Sequence, residues 1–265
     1  MSGTADASAA LLEVREVGVH FGGLAALEGV SFSVASEEIV GLIGPNGAGK
    51  TTLFNVICGF VRPTVGTVTF GGTSFTKVKP HRLARAGIAR TLQGVGLFPG
   101  MSVLDNVVGG AQSRARTDFA SAALGLPNSA RAERRLAAEA MVHLDRLGIG
   151  GFAGSLPGAL PYGIQKKVAV ARALMTNPRL LLLDEPASGL SETEVHDFAA
   201  LIRELRGEMG VLLVEHNMDF VMPLVDRLVV LNFGRVIAIG TPAMVREDPQ
   251  VLAAYLGADV DGDGQ

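Results

Sequence analysis

The sequence predicts an α/β fold: a sheet of buried strands, a region of alternating strands and turns near the start of the chain, and an inserted helical segment. Three observations predict it. Short apolar runs (Ile39–Ile43, Leu180–Leu183, Val211–Val214 and Leu228–Leu231) are bounded by charged or turn residues, as expected of strands buried on both sides. Around the first of them, residues alternate instead: Val17, Val19 and Phe21; Val30, Phe32 and Val34; Val68 and Phe70. Alternation marks strands with one covered face. Finally, the stretch from about 112 to 146 is rich in Ala, Arg, Leu and Glu and poor in β-branched residues, which favours helix.

In chain order, residues 1–10 are small and polar and read as a flexible tail. Strands and turns follow from Leu11 to Phe70. The run Ile39-Val40-Gly41-Leu42-Ile43 leads directly into a glycine-rich loop, and Thr51–Gly59 reads as a helix ended by glycine. In the insertion, the piece SARAERRLAAEAMVHLDRLGI reads as one helix opening at Ser129 and closing at Gly148. Its Arg131, Arg134 and Arg135 read as a solvated face with Glu133 and Glu139 nearby rather than a phosphate-binding patch. From Val168 the alternation of helix and strand resumes. The ending carries Asp259, Asp261, Asp263 and Gly264, like the start of a calcium loop, but not the bidentate glutamate such a loop needs. It reads as a loose acidic tail.

Bulk properties narrow the function. With 48% apolar and 18% charged residues in a chain of 265, a packed core is expected. A net charge of -3 gives no reason to expect nucleic-acid binding. The single cysteine, Cys58, has no internal disulfide partner, and nothing at the start reads as a signal peptide, so a reducing, cytosolic setting is expected. No apolar run approaches the roughly 18 residues needed to cross a bilayer.

Two motifs carry chemistry. Gly44-Pro45-Asn46-Gly47-Ala48-Gly49-Lys50-Thr51 fits G-x-x-x-x-G-K-[ST] between an expected strand and an expected helix, with Thr52 next at the helix start. Its glycines let successive N–H groups face one cluster of phosphate oxygens, and the helix N-terminus adds partial positive charge. Lys50 is expected to reach the β- and γ-phosphates of ATP and the Thr51 hydroxyl to ligate Mg2+. The second motif is the buried strand Leu180–Leu183 ending in Asp184 and Glu185. Asp184 suits holding the metal through its waters, and Glu185 suits orienting an attacking water as general base. Together the motifs predict a P-loop NTPase.

With these motifs in place, the chain resembles the ATP-binding subunit of ABC transporters from about Leu11 to Gly257. The resemblance implies a RecA-like core with an antiparallel β subdomain plus an inserted α-helical subdomain. It divides the chain into an ATPase core (11–92 and 166–257), a helical subdomain (93–165) and a flexible acidic tail (258–265). It also implies that Phe21 stacks on adenine, that Gln93 in GIARTLQ senses the γ-phosphate and Mg2+, and that His216 in VLLVEHNM contacts the γ-phosphate. Ala187-Ser188-Gly189-Leu190 matches the loop that follows the two carboxylates in that family.

One loop departs from the usual family text. Where Leu-Ser-Gly-Gly-Gln is common, this chain has Leu160-Pro161-Tyr162-Gly163-Ile164, then Gln165-Lys166-Lys167 and VAVARAL. Pro161 removes a hydroxyl and an N–H that would face a partner subunit's nucleotide, leaving the helix start and the Gly163 backbone. The same departure, with NVICGFVRPTVGTVTF and DEPASGL, is similar to the branched-chain amino acid importer branch. That resemblance implies a second ATP-binding subunit, identical or paralogous, two permease subunits, an external solute-binding protein, and a place on the cytoplasmic face of the membrane. Alternatives are the same ATPase serving urea, other amino acids or lipid, a soluble relative acting in DNA repair or translation, and a non-catalytic partner subunit.

Overall fold

The structure is a computed structural model that describes residues 10–75, 82–91, 94–113 and 127–258. Gln93 and the tail residues 1–9 and 259–265, with Asp259, Asp261, Asp263 and Gly264, lie outside the described residues, whereas Ala258, expected to open the acidic tail, ends a helix.

The alternating strands form an antiparallel sheet, as the family resemblance implies. β1 (Leu12–Phe21) pairs with β2 (Leu24–Val34) on one side; on the other it meets β4 (Val65–Phe70), which carries the short β5 (Thr73–Ser74). The inward residues Val14, Val17, Val19, Val30, Phe32, Val34, Val68 and Phe70 are all buried, in line with a strand period of two apart from a register shift between Val14 and Val17.

The continuous apolar runs form the second sheet, in the order β10-β9-β3-β8-β7-β6. Its members are β3 (Ile39–Ile43), β6 (Ile88–Arg90), β7 (Leu180–Asp184), β8 (Gly210–Val214), β9 (Arg227–Asn232) and β10 (Arg235–Gly240). All neighbours run parallel except β10, which turns back along β9 at one edge. Successive residues of a run serve opposite faces. Leu181, Leu183, Leu213, Leu228 and Val230 join one core with the helical insertion. Leu180, Leu182, Leu212, Val229 and Leu231 join a second core with the antiparallel sheet and with α1 (Lys50–Ile57). This is why the runs show no polar alternation: neither face meets water.

The helices follow the composition. After α2 (Leu83–Ala86) come α3 (Val103–Val108) and the long α4 (Pro127–Arg146). α4 begins at Pro127, two residues before the start expected at Ser129, because proline is well suited to the first turn of a helix, where its missing N–H is no loss. It ends as expected, with Gly148 in the left-handed region. Arg131, Glu133, Arg134 and Arg135 are exposed, as the solvated-face reading requires. α5 (Tyr162–Leu174) packs against α3 and α4 and runs unbroken across the boundary expected between 165 and 166. α6 (Glu192–Leu205) lies on the same side of the sheet. The C-terminal helices α7 (Met218–Val221), α8 (Pro242–Glu247) and α9 (Pro249–Ala258) complete the order. Among the described residues, no helix is long and apolar enough to cross a membrane.

Candidate nucleotide site

The site is built at the carboxyl ends of β3, β7 and β8, the edge at which open α/β sheets bind ligands. The loop after β3 wraps the start of α1. Gly44, Gly47 and Gly49 have φ values of 150, 79 and 102°, which side-chain-bearing residues rarely adopt. Two of them are also squeezed. A Cβ on Gly44 would strike the Leu231 carbonyl, and one on Gly49 would come within 2.8 Å of the Ala26 carbonyl and 2.9 Å of Leu27. The loop is thus braced from behind by β2 and by the hairpin joining β9 to β10, where Gly234 N–H donates to the Ala48 carbonyl at 2.9 Å.

Ala48 is buried, while Asn46, Gly47 and Thr51 face outward at the mouth of the loop, with Pro45, Gly49 and Thr52 partly covered. Lys50 Nζ donates to the carbonyls of Gly44 at 2.6 Å and Pro45 at 2.9 Å. Burial lowers the Lys50 pKa, and the Glu185 carboxylate opposes that shift, so the base candidate and the phosphate lysine feel each other's charge.

Across the site, β7 delivers Asp184 and the turn after it delivers Glu185. Glu185 has φ 47°, a left-handed conformation at the turn where the strand ends. Its carboxylate lies 3.9 Å from His216 Nδ1, at the end of β8. Phe21, at the tip of the β1–β2 hairpin, is 54% exposed, unlike the buried aromatics of the adjoining core. The Phe21 ring is therefore available to a planar ligand rather than spent in the core. At the start of α5, Pro161 is the N-cap, Tyr162 is exposed, and Gly163 is packed so closely that a Cβ would collide with the Glu194 carboxylate.

The structure therefore gathers Lys50, Thr51, Asp184, Glu185 and His216 at one edge and places Phe21 and the Pro161–Gly163 turn separately. It adds residues that sequence reasoning missed. Arg90, at the end of β6, donates to Asp184 Oδ2 at 3.0 Å and to Asn55 Oδ1 at 3.2 Å. Its guanidinium lies over the rings of Phe54 and Phe60, 4.7 and 5.4 Å from their centroids. The Gly163 N–H meets the Glu194 carboxylate, whose pKa is lowered chiefly by the Ser191 hydroxyl. A charge closing an otherwise apolar strand was the available signal: Arg90 ends β6 as Asp184 ends β7, and Glu215 follows the apolar β8.

Fold and site define a P-loop nucleotide-binding cassette. The family model described as ABC transporter matches residues 27–188. A second, described as branched-chain amino acid ATP-binding cassette transporter, matches residues 235–261. The chain belongs to the ABC transporter family, as one of its ATPases. It is 41% identical, over 93% of its length and 98% of the relative's, to the high-affinity branched-chain amino acid transport ATP-binding protein BraF of Pseudomonas aeruginosa. It is 40% identical, with the same coverage of both chains, to LivG of Escherichia coli strain K12, which carries the same description. Its fold superposes on a nucleotide-free ATP-binding cassette from an ABC transporter with TM-score 0.82 and 33% identity, covering 93% of this chain and 98% of that one.

Proposed function

We propose that this chain hydrolyses ATP to energise a membrane importer of branched-chain amino acids, working with a second ATP-binding subunit, two permeases and an external solute-binding protein. The observation that carries the catalytic reading is the convergence of Lys50, Asp184, Glu185 and His216 at one sheet edge. The similarity to BraF and LivG over nearly the whole chain supports the cargo.

In this reading the Gly44–Gly49 backbone and the N-terminus of α1 hold the β- and γ-phosphates, Lys50 turns from its own loop carbonyls to the γ-phosphate, and Phe21 stacks on adenine. Thr51 and Asp184 fit Mg2+: one hydroxyl and one carboxylate, with water completing the shell, suit a small hard cation, and Asp184 already has a cationic neighbour in Arg90. Gln93 would complete that set. Mg2+ bound there supplies neutralisation of the phosphate charge. Glu185 orients a water and accepts its proton, and His216, within 4.0 Å of it, steadies the γ-phosphate side. Pro161, Tyr162 and Gly163 face the nucleotide of the neighbouring ATPase, through the helix start rather than a serine hydroxyl.

Glu185→Gln is the direct test. It should leave nucleotide affinity intact by fluorescent-nucleotide titration and lower turnover at least about a hundredfold, the scale of a lost general base. Turnover near the native rate would remove Glu185 from this role. Reconstitution with permeases and binding protein, followed by uptake of labelled leucine and of labelled urea, tests the cargo. Urea uptake without leucine uptake would reassign it.

A further inference from the structure

Glu185 holds a left-handed backbone conformation that L-residues rarely adopt, and such a conformation persists where surrounding groups hold it. Two charged side chains from outside the turn bond to its backbone. Lys166, a buried side chain on α5, donates from Nζ to the Glu185 carbonyl at 3.0 Å and to the Pro186 carbonyl at 2.7 Å. The next backbone group, Ala187 N–H, donates to Glu215 Oε1 at 2.7 Å. Glu215 is fully buried, and its other oxygen accepts from His216 N–H at 3.0 Å and Asn217 N–H at 3.3 Å. A cation therefore holds two carbonyls of the turn that carries Glu185. An anion holds the N–H that follows and, with its second oxygen, the backbone under His216. Lys166 and Glu215 also feel each other's charge.

We propose that Lys166 and Glu215 are positioning residues for hydrolysis: together they clamp the Glu185 turn and the His216 loop in one register, so that base and histidine approach the γ-phosphate as a unit. The hydrogen bonds of both side chains go to residues 185–187, 216 and 217 rather than to the phosphate loop, so the clamp acts on chemistry and not on nucleotide affinity. Lys166 lies one turn into α5, on the rigid body that begins with Pro161–Gly163, so the helix that addresses the neighbouring site also carries the cation on this one. The inference rests on the proposed roles of Glu185 and His216.

The test uses the assembled transporter with Lys166→Met, Lys166→Arg or Glu215→Gln in this chain, beside Glu185→Gln. Glutamine at 215 can still accept from Ala187 N–H, but its NH2 would then face the two N–H donors of the His216 loop. Displacement of a reacting group by about 1 Å can cost on the order of a hundredfold. We expect Lys166→Met and Glu215→Gln to lower kcat about 10- to 100-fold with the Kd for fluorescent ATP within twofold, and Lys166→Arg to recover most of kcat. Native kcat in both disruptive variants overturns the clamp. So does a parallel loss of kcat and affinity, or a well-folded Lys166→Arg no better than Lys166→Met. If Lys166→Met does not fold by thermal melting, the same criteria apply to Glu215→Gln. If Glu185→Gln turns over normally, the base assignment itself fails. Loss there with native Lys166→Met and Glu215→Gln sinks the clamp alone.

Discussion

At the scale of single residues, the polar groups around the phosphate loop are arranged so that charge meets charge before any ligand arrives. Arg90 and Asp184 form a largely buried ion pair, with side chains 16% and 11% exposed. Removing one partner of such a pair typically costs about 3–5 kcal/mol, because the other charge is stranded. Arg90→Met is therefore expected to lower the melting temperature. If Asp184 holds Mg2+ as proposed, Mg2+ with nucleotide should restore more stability to the variant than to the native chain, a cation at Asp184 replacing the missing one. Thermal melts with and without MgATP check this; equal shifts in the two proteins would remove the argument. Cys58 lies in the same neighbourhood, and burial pushes its thiol up to about 11. A thiol raised in the folded state adds stability below its unfolded pKa, and that stability is lost as pH climbs through about 11. Iodoacetamide should leave Cys58 unmodified in the native protein at pH 8 and label it fully in denaturant, read by intact mass.

At the scale of elements, the strands were the most legible feature. Continuous apolar runs became two-sided strands and alternating runs became the one-sided sheet, because burial acts directly on residue type. The glycine-rich loop was legible for a similar reason: only glycine tolerates both the dihedrals and the close approach of Leu231 at Gly44. Arg90, Lys166, Glu215 and Glu194 were not legible, because their importance comes from partners far away in sequence. Lys166 stands in the sequence only as one residue of the helix after the Leu160–Gly163 loop, yet it reaches across to the carbonyls of residues 185 and 186. Ser191 shows a local device that was readable but passed over: Ser191 and Glu194 form a reciprocal capping box at the start of α6. Ser191→Ala should cost about 1 kcal/mol in urea unfolding. Because Glu194 also meets the Gly163 N–H, the substitution should loosen the start of α5 as well, seen as faster amide exchange at Gly163.

At the scale of the whole molecule, the six-stranded sheet separates two cores, and its inner strand β3 is sandwiched between β8 and β9 from the far end of the chain. The phosphate loop comes early in the sequence, but its rear wall is the Leu231 carbonyl and the Gly234 turn. Contacts this distant in sequence form slowly and only after most of the polypeptide is available. During synthesis, then, the ATP pocket is among the last features to be finished, although its motif leaves the ribosome early. Stalled nascent chains released short of residue 228 should lack measurable ATP affinity, and those extending past residue 240 should acquire it. Nucleotide therefore cannot stabilise the chain by binding until its last third has been made.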